Sequence, residues 1–328
     1  MKPFAYERPS SVPEAVTLVA EEPGAVYVAG GTNLLDHLKL GIAAPRLLVD
    51  VTGLPLNAVE ALPDGGIRIG ANVRNADLAA HPEVRRRRPV VSQALLAGAS
   101  PQLRNMATVA GNLVQRTRCP YFQNPATPCN KRQPGSGCAA AASRTEHRAL
   151  MGASESCVAV HPSDLAVALC AVDAVVCVQG RFGPRRIPVT ALHRLPGAHP
   201  ERDTVLDHAD LITGVELPPL PMATRSRYRK VGDRASFSFA LVSVAVVVDL
   251  EGDAVRDTRI VFGGLATKPW RARRAEAVLR GGPVTADRFA AAALTELSDA
   301  RTVEANAYKV PLARDTLVAT LLDACGRA

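Results

Sequence analysis

Four of the chain's seven cysteines, Cys119, Cys129, Cys138 and Cys157, fall within 39 residues that offer no regular element to carry them. The part bearing the first three reads GNLVQRTRCPYFQNPATPCNKRQPGSGCAA, rich in Pro, Gly, Asn and Arg, with neither helical nor strand periodicity. A loop of this length inside a compact domain needs a tether or a function, and four thiolates around a metal centre would supply both. The spacings are C-x9-C, C-x8-C and C-x18-C. They lack the paired knuckles of structural zinc sites and the tight run of bacterial ferredoxins. What remains is a wide-looped four-cysteine site, with a 4Fe-4S cluster ahead of zinc and redox or structural thiols as the alternative. Disulfides would need an oxidising compartment, and seven cysteines leave one unpaired. Cys170, Cys177 and Cys325 lie in apolar segments and read as small buried hydrophobes.

A chain of 328 residues with 47% hydrophobic composition is globular and long enough for two or three domains. No apolar run reaches the length of a membrane span. The formal charge of +8 rests largely on arginine, but the densest run, Arg85 to Arg88, has no aromatic company for stacking. It reads as a solvated helix end or a subunit contact, and nucleic acid is not an expected partner. The start, MKPFAYERPS, lacks the basic and apolar regions of a secretory signal. The expected location is the cytoplasm, or the periplasm by co-export with a partner that bears a twin-arginine signal.

Ser10 and Ser11 before PEAVTLVAEEP predict a capped helix. AVYVAGGTN predicts a strand breaking into a Gly-Gly turn, LLDHLKLG a helix, and RLLVDVTGL and GGIRIGANV further strands. Residues 75–99 carry a helical pattern, TVAGN (108–112) reads as a turn, and HPSDLAVALCAV predicts a capped helix feeding the strand AVVCVQG. The Pro-rich LPPLPMAT at 217–224 predicts an exposed connector and a domain boundary. Beyond it, SFSFALVSVAVVVDLEGDAVRDTRIVFGG alternates like antiparallel strands around an EGD turn, and two helices near the C-terminus should pack on them. The pattern is α+β.

Gly30 and Gly31 sit where a strand ends, so backbone N–H groups can converge on an anion, with Thr32 and Asn33 adding donors. TVAGN offers the same chemistry. Two such turns would suit a dinucleotide laid between two subdomains, although each is equally ordinary as a simple turn.

VAGGTNLLDHLKLG, QLRNMATVAGNLVQRTRC, HPSDLAVALCAVDA, YRKVGDRASFSFALVSVA and NAYKVPLARD occur in this order along nearly the whole chain. Together they resemble the FAD-binding medium subunit of the molybdenum hydroxylases, the xanthine dehydrogenase and carbon monoxide dehydrogenase flavoprotein family. The cysteine loop resembles a subset whose flavin subunit also carries a 4Fe-4S cluster, most of all that of bacterial three-subunit periplasmic aldehyde oxidoreductases. The β subunit of 4-hydroxybenzoyl-CoA reductase is the neighbouring cluster-bearing case.

The resemblance implies a vanillyl-alcohol-oxidase (PCMH)-type FAD-binding fold of two α/β subdomains, at about 1–55 and 56–222. An iron-sulfur loop at 116–157 and a C-terminal α+β domain at 223–328 complete it. Ala29, Gly30, Gly31, Thr32, Asn33, Leu34 and Leu35 would wrap the pyrophosphate, joined by Thr108 and Asn112. Asp164 would hydrogen-bond the flavin, Lys230 would lie near its ring system, and Ile212 would pack on the ring. Asn33 stands where many relatives have Asp, which removes a charge beside the phosphates and leaves a donor. Cys119, Cys129, Cys138 and Cys157 would hold the cluster. Arg116, Arg118, Lys131 and Arg132 flank the cysteines and would either raise the cluster's potential or contact partner subunits. The family's assembly, a heterotrimer, adds a large subunit with the molybdenum cofactor and a small subunit with 2Fe-2S clusters. This chain would pass their electrons through FAD to an external acceptor, with no substrate chemistry of its own. A flavin-free, zinc-stapled scaffold is the reading from a different class.

Overall fold

The computed structural model describes residues 1–143 and 146–327; two residues of the cysteine segment, 144 and 145, and the last residue, 328, lie outside it. Three sheets organise the chain. The first joins β1 (Ala5–Glu7), β2 (Ala25–Val28) and β3 (Leu47–Asp50) in the order β1-β3-β2, all parallel. Parallel pairing demands crossovers, and helices Val12–Glu21 and Leu34–Lys39 supply them. The first starts where its sequence says: Ser11 caps it by accepting from the Glu14 N–H, and Ala15, Val16 and Val19 form its buried stripe.

The second sheet has five antiparallel strands: β4 (Val59–Ala61), β5 (Ile67–Gly70), β6 (Val175–Gly180), β7 (Gly183–Pro188) and β8 (Leu211–Leu217), ordered β4-β5-β8-β6-β7. The cysteine segment departs between β5 and β6. It leaves after helix Val109–Leu113 and returns at helix Asp164–Ala171, all eight residues of which are buried.

The third sheet follows the Pro-rich connector: β9 (Ser226–Val231), β10 (Val242–Glu251), β11 (Ala254–Gly263) and β12 (Trp270–Arg271), ordered β12-β11-β10-β9. The expected hairpin is present, with Glu251 opposite Ala254 and Gly252 at φ +58° in the turn. The valine run of β10 is explained by burial on both faces. Val242, Val244, Val246 and Val248 pack with Phe262, Phe289 and Leu317 under the C-terminal helices. Ala245 and Val247 face the other way, into the core around Leu165 and Leu169. Each such side chain contributes about 1.5–3 kcal/mol by leaving water.

Several expectations are corrected. The helical stretch 75–99 is three helices, Asn75–Ala80, Pro82–Arg87 and Pro89–Ala97, because each proline can open a helix but not continue one. TVAGN is no simple turn; Thr108 caps the helix Val109–Leu113, its Oγ1 accepting from the Gly111 N–H at 3.2 Å. The basic run is not wholly solvated. Arg88 is 1% exposed, and its Nη2 donates to the Pro218 carbonyl at 2.7 Å. That contact and the fully buried Ala223 anchor the Pro-rich connector, which is exposed, as expected, at Pro219, Pro221 and Thr224.

Candidate functional site

A cavity of about 570 Å³ opens between the turn after β2, the helical segment 94–112, the start of helix Asp164–Ala171 and the end of β9, within the range of small-ligand and cofactor sites. The turn after β2 forms one wall with Thr32 and Asn33. The segment 98–107 and the start of helix Val109–Leu113 form another, with Gly111 and Asn112. Asp164, Lys230 and residues 233–241 close it. Two glycines make the first wall possible. A Cβ on Gly30 would stand 2.0 Å from the Met106 carbonyl oxygen, so only glycine lets the two backbones approach. Gly31 sits at φ +73°, a left-handed conformation that turns the chain into the following helix.

The polar groups on the walls are held from behind. Asn33 Oδ1 accepts the Arg116 backbone N–H at 3.0 Å. Asn112 Oδ1 accepts from Ser163 Oγ at 2.6 Å and Gln115 Nε2 at 2.8 Å, which leaves its amide nitrogen as the donor. Ser163 in turn caps helix Asp164–Ala171. At the inner end, Lys230 Nζ donates to Asp164 Oδ2 at 2.8 Å and to the Ala97 carbonyl at 3.0 Å, while the Tyr228 hydroxyl donates to Asp164 Oδ1 at 2.6 Å. Both charged side chains of this pair are about nine-tenths buried. A buried ion pair persists only when its remaining hydrogen-bonding capacity is met, and Tyr228 and Ala97 meet it. Burial and the Asp164 carboxylate push the Tyr228 hydroxyl well above its ordinary range, so it remains a donor.

Of the residues singled out by sequence, Thr32, Asn33, Asn112, Asp164 and Lys230 line the cavity. Gly30, Gly31 and Thr108 shape it from behind, while Ala29, Leu34 and Leu35 belong to the same turn without forming its lining. Ile212 does not join them. It lies on β8 in the large core, paired with Val178, so packing on a cofactor ring does not follow from its position. Tyr228 was missed. Its signal was the spacing to Lys230, since residues two apart on a strand share a face.

The four cysteines converge. Cys119, Cys129, Cys138 and Cys157 line one small enclosed cavity with Phe122 and Lys131, and all four are free thiols. Cys129 and Cys138 pair across an isolated antiparallel bridge. Burial pushes the Cys157 thiol up to about 11, despite the opposing Lys131 charge, and raises Cys119 as well. Among the described residues, no group of three or more His, Cys, Asp or Glu side chains is placed to hold a metal ion. Cys170 and Cys177 are buried elsewhere, and Cys325 packs beside the C-terminal core.

The basic residues around this cage serve the loop itself. Arg132 donates to the carbonyls of Tyr121 and Phe122, at 2.9 and 2.7 Å, and to that of Thr127. Arg116 and Lys131 both engage Asp203, with Arg116 Nε at 2.7 Å. Burial and the Arg116 and Arg118 charges pull His37 down to about 4, so it packs as a neutral ring against Phe122.

Residues 2–220 match the family of the FAD binding domain in molybdopterin dehydrogenase, and residues 227–324 match the CO dehydrogenase flavoprotein C-terminal domain. The chain is 48% identical to the aldehyde oxidoreductase FAD-binding subunit PaoB of Escherichia coli (strain K12), over all of both chains. It is 29% identical to subunit alpha of the 6-hydroxypseudooxynicotine dehydrogenase complex of Paenarthrobacter nicotinovorans, covering 100% of this chain and 97% of that one. Among solved structures it resembles a chain of carbon monoxide dehydrogenase from Hydrogenophaga pseudoflava, with a TM-score of 0.78, 25% identity and full coverage of both.

Proposed function

Because this chain belongs to the FAD-binding subunit family of the molybdopterin dehydrogenases, we propose that it is the flavin- and 4Fe-4S-carrying electron-transfer subunit of a molybdenum-dependent aldehyde oxidoreductase. Its expected partners are a large molybdenum cofactor-binding subunit and a small 2Fe-2S subunit, whose electrons it passes through FAD to an external acceptor. The observation that carries the reading is the cavity between the glycine turn after β2, the helix Val109–Leu113 and the buried Asp164–Lys230–Tyr228 group.

The donors present fit FAD. Thr32, Asn33 and Asn112 offer hydrogen bonds where the turn after β2 meets helix Val109–Leu113, suited to a pyrophosphate. Asp164 and Lys230 present one acceptor and one donor, each immobilised by burial, to the polar edge of a flavin. Bound FAD would supply redox chemistry that no side chain here can. The chain's own work is to orient that group and to exclude water from it.

The cysteine cage supports a 4Fe-4S cluster over a zinc staple. Its four cysteines line one small cavity, and their spacings lack the paired knuckles of structural zinc sites. Loading must displace protons from thiols that burial keeps protonated.

Purification of the full chain, alone and with its co-expressed partner subunits, tests the reading. Flavin should accompany the chain in both forms, and aldehyde oxidation should require the complex. Robust aldehyde turnover by the single chain, or absence of flavin from both, would overturn it.

A further inference from the structure

The cysteine segment and the large cavity meet at Arg118, the residue directly before Cys119. Its side chain lines the 570 Å³ cavity beside Thr32 and Asn33. It also lines the adjoining chamber that reaches Cys119. The other arginine and lysine side chains on the cavity wall are already engaged. Arg104 donates to the Gly98 carbonyl at 2.8 Å, Lys230 to Asp164 at 2.8 Å, and Arg234 to the Phe237 carbonyl at 2.5 Å. Arg118 differs. Its Nε is buried without a hydrogen-bond partner among the described residues; its guanidinium lies over the Phe239 ring, 5.1 Å from the centroid, and Asp36 stands 4.0 Å away with its own side chain 55% exposed. A guanidinium drawn out of water and left under-paired is costly, and its planar fork matches phosphate oxygens.

Two more contacts brace the same turn against the cysteine segment. Asn33 accepts the Arg116 N–H at 3.0 Å, and the His37 ring meets Phe122 edge-on at 5.6 Å, where Phe122 is itself a wall of the cysteine cage. Both contacts, the Arg116 backbone N–H and the Phe122 ring, come from residues three positions from Cys119.

Resting on the reading that FAD fills the cavity and a cluster fills the cage, we propose that Arg118 binds the pyrophosphate of the dinucleotide and is held in place by Cys119. Filling the cage then tightens FAD binding. The gain comes from pre-organisation: a fixed Cys119 leaves less side-chain and loop freedom to lose when FAD arrives.

The test measures FAD and riboflavin affinity by fluorescence quenching on the deflavinated full chain. Arg118→Gln should weaken FAD by about 10- to 100-fold, the scale of charge-assisted hydrogen bonds. Riboflavin, which has no phosphate, should bind unchanged, and Arg118→Lys should recover part of the loss. Emptying the cage by Cys138→Ser should weaken FAD more when Arg118 is present than in Arg118→Gln, as coupled sites require. Equal FAD affinity in Arg118→Gln, an equal loss for riboflavin, or the same Cys138→Ser penalty in both backgrounds would overturn the proposal. If Arg118→Gln does not fold, the FAD-to-riboflavin ratio in Arg118→Lys and Cys138→Ser decides in the same way. A parent chain that binds no FAD would instead refute the function proposed above.

Discussion

The sheet of β9 to β12 and the cysteine segment are built on opposite principles. In the sheet, a valine run packs on both faces, and neighbours such as Phe262, Leu317 and Leu321 are fully buried. Its order comes from apolar surface removed from water. Among the described residues, the segment from Arg116 to Cys157 has short helices only, at Pro120–Gln123 and Ala139–Ala142. Its order comes from guanidinium-to-carbonyl bonds, the Asp203 ion pairs and four converging thiols. The first region should tolerate loss of a cofactor and fail when its core is cut. The second should tolerate little once its polar anchors or the proposed cluster are removed.

Cutting the core should give the largest effect. Phe262→Ala should cost about 3–5 kcal/mol of global stability, read as a lower denaturant midpoint, while flavin and iron per folded chain stay unchanged. If only the cysteine segment loosened, the separation of the two regions would be broken. The converse change, Cys129→Ser, should abolish iron binding and open residues 116–157 to protease, with the sheet's protection against hydrogen exchange intact. Cys177→Ser lies outside the cage and should leave iron content unchanged.

Arg132→Met sharpens the comparison at smaller scale. It strands the carbonyls of Phe122 and Thr127, while that of Tyr121 keeps the Thr127 hydroxyl, and should cost the segment about 1–3 kcal/mol per carbonyl left buried and unpaired. Local proteolysis should accelerate well before the global midpoint moves. A uniform drop in global stability would mean that the segment is part of the main folding unit.

The smallest effect is set by pH. Burial opposes ionisation of Asp203, but Arg116 and Lys131 outweigh it and hold its carboxyl below the usual 3.8. Its folded pKa is thus lower than its unfolded one. The stabilisation is fully present above about pH 4 and fades as pH falls through the folded value. Protease resistance of the segment should decline below pH 4, and Asp203→Asn should remove that dependence while lowering resistance at neutral pH. An unchanged acid profile in the variant would show that another carboxylate carries it.

The same contrast decides what could be read from sequence. The hairpin, its EGD turn, the two long C-terminal helices and the Ser11-capped helix follow from local pattern, and each is present. The breaks at Pro82 and Pro89 were also local signals, overridden by the apolar pattern on either side. Short β1, β4 and β12 carry too few residues to show a period. At the cavity, Thr32, Asn33, Asn112, Asp164 and Lys230 stand together, because the glycines and caps that place them are local. The roles of Arg88, Arg132 and Tyr228 were hidden. Each depends on a partner that only the folded chain brings near, such as Pro218 for Arg88 and Asp164 for Tyr228. Ile212 shows the limit in the other direction, since an apolar residue on a strand serves a core as readily as a cofactor.

The cofactor content of the full chain, purified without oxygen, tests the account most directly. One FAD, about four irons and matching sulfide per chain are expected from the cavity and the four-thiol cage. Bound flavin with one zinc and no sulfide would contradict the cluster, and a chain with neither flavin nor iron would contradict the account as a whole.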